Sequence, residues 1–211
     1  MAKITRLVAS RDRNKRVRVF LDGKYAFSLE AEVVLEKGLR PGQELGEACI
    51  EALARDNQLK RALSAASRFI AYRPRSEQEL RQRLVRRGFD AATVSAALSR
   101  LREQGLLDDA AFARYWTENR QSFSPRSLRL TQLELRQKGV KAEFIDQATG
   151  VIDDGESAYR AALKKAGRLH EPDYQGFRRK LGEYLQRRGF GYEAINSAVK
   201  RLWQEKVEHN E

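Results

Sequence analysis

From Ala48 almost to the end of the chain the pattern is helical, with apolar residues recurring at three- and four-residue spacing, the period of a helix with one buried face. Residues 72–107 give the clearest copy. Ser76 is placed as an N-cap and Glu79 follows three residues later, the pairing of a capping box. Leu80 and Leu84 continue at helical spacing, with Arg81, Arg83, Arg86 and Arg87 between and beyond them. Gly88 can adopt the left-handed conformation that closes a helix, and Phe89 supplies the apolar contact that follows such a cap. Asp90 starts a second helix with the stripe Val94, Ala97, Leu98 and Leu101, which Gly105 ends. Upstream, the spacing of Leu59, Leu63, Ala66, Phe69 and Ile70 predicts a helix over 59–72, stopped by Pro74. Residues 46–58 read as an acidic lead-in to it.

This pattern returns twice, in register with glycine. Gly88, Gly139 and Gly189 lie 51 and 50 residues apart. Four residues before them stand Leu84, Leu135 and Leu185, and one residue after them Phe89, Val140 and Phe190. Val94, Ile145 and Ile195 fall six residues after, and Leu101, Ile152 and Leu202 thirteen after. Basic or amide side chains precede each glycine: Arg86-Arg87, Gln137-Lys138 and Arg187-Arg188. Further helices begin at Asp108-Asp109, carrying Phe112, Ala113, Tyr115 and Trp116, and at Asp153-Asp154, carrying Ala158, Ala161, Ala162 and Leu163. The unit is therefore three helices of about a dozen residues, roughly 18 Å each. Stacked units of this kind bury a continuous core, and an elongated, curved array is expected.

The first 45 residues follow a different period. Val17, Val19 and Leu21 alternate with Arg16, Arg18 and Phe20, as Tyr25, Phe27 and Leu29 do with their neighbours. Asp22-Gly23 between the runs is the signal of a tight hairpin. Residues 4–9 add a weaker third strand, the run Ala31, Val34 and Leu35 before Gly38 a short covering helix, and residues 39–42 a turn. Between residues 3 and 24 stand eight Lys or Arg (Lys3, Arg6, Arg11, Arg13, Lys15, Arg16, Arg18, Lys24) against Asp12 and Asp22. Such an arm suits a phosphate backbone, and equally a solvated edge strand kept from pairing with other chains.

The predicted fold is mainly α: tandem three-helix repeats after a small N-terminal β-hairpin region. The boundaries are 1–45 for the hairpin region with its short helix, 46–107 for the lead-in and first repeat, 108–152 for the second and 153–207 for the third.

Charge directs attention to the partner. The formal net charge is +12 at pH 7, which calls for an anionic partner: nucleic acid, an acidic protein surface or an anionic membrane. Residues 59–107 carry eleven Lys or Arg against four acids. The candidate binding residues are Arg73, Arg75, Arg81, Arg83, Arg86 and Arg87 in the first repeat, Arg126, Arg129, Arg136 and Lys138 in the second, and Arg187 and Arg188 in the third. Arginine forks suit phosphate or carboxylate. Trp116 and Tyr115 have the spacing of core aromatics, with base stacking the competing role. Cys49 is the single cysteine, so no internal disulfide forms, and with no apolar run of signal or spanning length a cytoplasmic location is expected.

No catalytic constellation is present. His170 and His209 are the only histidines and neither has ligand spacing, while the paired aspartates at repeat starts are read as caps rather than metal ligands. No cofactor is expected, and with no coiled-coil seam the chain is expected to be a monomer.

The stretches FLDGKYAFSL (20–29), LRPGQEL (39–45), YRPRSEQELRQRLVRRGF (72–89), LREQGLLDDAAFARYWTENR (101–120) and LELRQKGV (133–140) resemble the RecX family of bacterial regulatory proteins, in the same order. The third repeat departs furthest: RLHEPDYQGF precedes its middle helix and no LxDD element follows. The resemblance implies a non-enzymatic protein that binds the recombinase RecA, lies in the groove of its filament on DNA, and restrains ATPase and strand exchange. DNA, single- or double-stranded and without sequence preference, would be a second partner. The competing reading is a stand-alone nucleic-acid-binding protein using its repeats as helix-turn-helix modules.

Overall fold

The computed structural model describes residues 1–10, 16–169 and 173–208. Arg11, Asp12, Arg13 and Lys15 of the basic arm, and both histidines, lie outside them. The described residues form two compact units: Met1–Arg75 with Leu80–Leu107, and Ser76–Glu79 with Asp108–Glu211.

The first unit opens with antiparallel strands β1 (Ala2–Ala9), β2 (Arg16–Leu21) and β3 (Lys24–Glu30). Asp22 (φ 47°) and Gly23 (φ 80°) turn β2 into β3 with both central residues left-handed, as a two-residue hairpin requires. The short helix α1 (Ala31–Glu36) follows. A two-residue strand, β4 (Glu44–Leu45), then pairs with β1 and completes the order β3-β2-β1-β4. Ile4, Val19, Leu29 and Leu45 bury the inner face of this sheet in one core with Val33 of α1 and Leu53.

Leu53 belongs to α2 (Glu47–Tyr72), a helix of 26 residues. The lead-in over 46–58 is thus helical, and the helix starts twelve residues before the predicted 59. Its two halves bury different neighbours: Leu53 packs on the sheet, whereas Ala62, Ala65 and Ala66 pack in the first repeat. Asn57 seals the junction, its side-chain oxygen accepting the Glu30 N–H at 2.8 Å and its amide donating to the Ser28 carbonyl at 3.4 Å. With α2, helices α3 (Glu77–Arg86) and α4 (Ala91–Glu103) complete that repeat. Leu80, Leu84, Val94 and Leu98 are its core, and Phe89 packs against it half-buried.

In the second unit, the second repeat is α5 (Asp109–Phe123), α6 (Leu128–Gln137) and α7 (Ala142–Thr149). The third is α8 (Asp154–Ala166), α9 (Tyr174–Gln186) and α10 (Tyr192–Glu208). Asp108 and Asp153 are N-caps, as are Asp90 in the first unit and Asp173 in the second. Leu135 and Ile145 centre one core, and Phe177, Leu181 and Leu185 the other. Among the described residues no helix is long and apolar enough to cross a membrane.

Candidate partner interface

The basic residues that precede the repeat glycines do not share one environment. Arg188 faces the segment before α6: its guanidinium donates to Ser124 Oγ at 2.9 Å and to the Pro125 carbonyl at 3.1 Å, and it lies 4.6 Å from the Tyr184 ring centroid. Its backbone carbonyl accepts the Ser127 N–H at 3.1 Å. Ser127 is fully buried and accepts the Leu130 N–H as the cap of α6, while the Leu128 N–H goes to the Asp154 carboxylate at 2.7 Å. The two aspartates at a repeat start therefore have different tasks. Asp153 caps its own helix, and Asp154 caps the middle helix of the repeat before.

The same joint recurs one repeat earlier, within the second unit. Buried Ser76 accepts the Glu79 N–H at 3.2 Å and donates to the Lys138 carbonyl at 2.7 Å. The Glu77 N–H donates to Asp109 at 2.9 Å, and the Lys138 ammonium pairs with Glu79 at 2.7 Å. Lys138 also lies 4.1 Å from the Trp116 ring centroid, with Arg120 at 4.5 Å. Trp116 packs half-buried against the second-repeat core and donates its indole N–H to Glu134 at 2.8 Å. Glu134 further accepts from Arg120 at 2.8 Å and pairs with Arg126. Arg188 is thus occupied in holding the third repeat to the second, Lys138 is bound to Glu79, and Arg126 is bound to Glu134 inside the second repeat.

The remaining candidates are distributed as follows. Arg83, Arg86, Arg87, Arg129, Arg136 and Arg187 are exposed. Arg73, Arg75 and Arg81 are half-buried, and Arg73 and Arg75 donate to the Pro74 and Phe69 carbonyls at 2.8 and 3.4 Å. In the first unit the guanidinium carbons of Arg83 and Arg87 lie 4.8 and 4.9 Å from the Phe69 ring centroid, which holds two cationic heads side by side at the surface. Two exposed arginines of α2 that the sequence did not single out, Arg61 and Arg68, line the same cleft as Arg87 and Phe89, of about 780 Å³. Lys60 also lines it, but is bound to Glu36 at 2.6 Å, a hydrogen bond that raises its pKa against the opposing effect of partial burial.

The geometry offers binding chemistry: helix-borne arginine forks and a half-buried aromatic. Among the described residues no group of three or more His, Cys, Asp or Glu side chains could hold a metal ion.

Comparison with known proteins finds similarity over most of the chain. Family models match residues 2–46 (Regulatory protein RecX N-terminal domain), 62–101 (RecX, first three-helix domain), 108–148 (second three-helix domain) and 153–199 (third three-helix domain). The Regulatory protein RecX of Clostridium botulinum (strain Eklund 17B / Type B) is 30% identical over 205 residues, covering 95% of this chain and 96% of that one. That of Bacillus subtilis (strain 168) is 27% identical over 215 residues, covering 100% and 81%. A crystal structure of regulatory protein RecX superposes with a TM-score of 0.69 at 28% identity, over 95% of this chain and all of that one.

Proposed function

Since the chain belongs to the RecX family of regulatory proteins, we propose that it binds RecA on DNA and restrains its ATPase and strand exchange without catalysing a reaction itself. DNA, single- or double-stranded and read through its phosphates, is the second partner, and the protein acts as a cytoplasmic monomer. The observation that carries the reading is the arginine cluster of the first unit. Arg61, Arg68, Arg83 and Arg87 are exposed around Phe69 and Phe89, and Arg86 is exposed on the same helix as Arg83. Guanidinium groups seated on rings lose little further freedom when they engage a carboxylate or phosphate, so they favour an acidic protein surface and a nucleic-acid backbone alike.

The test is co-sedimentation with RecA filaments assembled on DNA. Replacing Arg83, Arg86 and Arg87 together by Ala should weaken association at physiological salt while the circular dichroism spectrum is unchanged. For every phosphate that the variant no longer neutralises, the salt slope should fall by about one. Unchanged association would remove this surface from the account. Binding that depends on free DNA and ignores RecA would favour the stand-alone nucleic-acid reading.

A further inference from the structure

The third repeat carries a groove between α9 and α10. It encloses about 580 Å³ and is walled by Tyr174, Tyr192, Arg178, Arg179 and Asn196, with Gly182 at its floor. Aligned on the repeat glycines, the position seven residues before is Arg81 in the first repeat, Gln132 in the second and Gly182 in the third. Three residues after, the chain has Ala91, Ala142 and Tyr192. Relative to the other two, the third repeat thus lacks a long side chain in the middle of the face and has an aromatic at its edge. A glycine in mid-helix is unfavourable unless something needs the room. Packing does not need it here: a Cβ on Gly182 would sit 3.8 Å from Ile195 Cγ2, an ordinary contact.

The lining points to one class of ligand. Tyr192 is 70% exposed, and Arg178 donates to its hydroxyl at 3.3 Å, which steadies the ring. Arg178 and Arg179 supply two cations, no carboxylate among the described residues lines the groove, and Gln175, Gln186 and Asn196 supply amides. Stacking area, hydrogen-bonding edges and positive charge together fit a nucleotide, whose base has a flat face and polar edges and whose phosphate is anionic. An acidic peptide would use the arginines but would leave the aromatic wall without a task.

We propose that this groove seats one unstacked base of single-stranded nucleic acid, its ring against Tyr192 and its phosphate at Arg178 and Arg179. The inference rests on the reading that the protein contacts DNA, and it adds a stacking site to the phosphate contacts of the first unit.

The experiment uses the full chain without RecA, binding a fluorescent oligothymidylate and an abasic oligonucleotide of equal length. The wild-type protein should prefer the base-bearing strand by roughly tenfold, about 1.4 kcal/mol. Gly182→Leu, which fills the groove, and Tyr192→Ala, which removes an exposed ring, should each abolish that preference. Gly182→Ala should keep it. If Gly182→Leu alters the helical spectrum, Tyr192→Ala decides. Equal wild-type affinity for the two strands, or a preference that survives Tyr192→Ala, would overturn the proposal. So would an oligoglutamate that competes with wild type and not with Gly182→Leu, which would assign the groove to an acidic protein segment. Assays of RecA inhibition are independent of all these outcomes, so the two readings fail separately.

Discussion

Gly88 and Gly189 offer an internal control for the joint between repeats. Both are left-handed, with φ of 84° and 85°, so an alanine at either position incurs the same backbone strain, about 1–2 kcal/mol. Their surroundings differ. A Cβ on Gly88 would meet nothing within 4 Å, whereas on Gly189 it would fall 2.6 Å from Ser127 Oγ and 2.8 Å from Leu130 Cβ. Neither neighbour can step aside cheaply, because Ser127 is buried and caps α6 while its N–H is bonded to Arg188. Displacing that cap costs about 1 kcal/mol, and overpacking adds about 1–3 kcal/mol. Gly88→Ala should therefore cost about 1–2 kcal/mol, and Gly189→Ala about 3 kcal/mol or more. Hydrogen exchange reads this locally: the Ser127, Leu128 and Leu130 amides all donate within the joint. In Gly189→Ala they should exchange on the order of a hundredfold faster, and in Gly88→Ala they should not change. Adding Ser127→Ala should partly relieve Gly189→Ala, because the two positions are in contact. Equal losses in the two glycine variants, or unchanged exchange of those amides in Gly189→Ala, would refute the reasoning that assigns Arg188 to the joint.

Two further predictions concern charge. Glu134 has a side chain only 11% exposed and receives Trp116, Arg120 and Arg126 together. Glu134→Gln should cost about 2–3 kcal/mol in urea unfolding, by leaving two partly buried guanidinium groups without a counter-charge, and should shift Trp116 emission to the red in a Trp203→Phe background. Asp90 is held below its ordinary pKa of 3.8 by hydrogen bonds from the Thr93 backbone N–H and hydroxyl. A depressed carboxylate pKa contributes stability that is present above 3.8 and is lost as pH falls through the lower folded value. Asp90→Ala should therefore remove part of the acid sensitivity of the α4 amides below about pH 4, and leave their neutral-pH dependence flat.

The repeat frame was legible because it is written in backbone requirements. Gly88, Gly139 and Gly189 must be left-handed, and Asp90, Asp108 and Asp153 must cap, so residue type and spacing alone locate the helices. The long α2 was less legible because its buried face changes partner near Asn57, so no single stripe runs its length. β4 escaped notice because two residues carry no measurable alternation, and what makes them a strand is the free edge of β1. Among the basic candidates, sequence could not separate Lys138 and Arg188 from Arg87. All three precede the repeat glycine, and only the presence of a preceding Ser, Glu or carbonyl group distinguishes them. Arg61 and Arg68 went unselected because their significance lies in where α2 places them beside Phe89 and Arg87, residues at least 19 positions away in the chain. The Gly182 groove, by contrast, is visible in the aligned repeats once the columns seven before and three after each glycine are compared.

The most direct test of the central claim is a titration of this protein into RecA hydrolysing ATP on saturating DNA. A regulator of the filament should inhibit at amounts well below those needed to coat the DNA, and the Arg83, Arg86 and Arg87 triple alanine variant should require more protein for the same effect. Inhibition that begins only as free DNA is exhausted, or ATP turnover that does not respond at all, would contradict it.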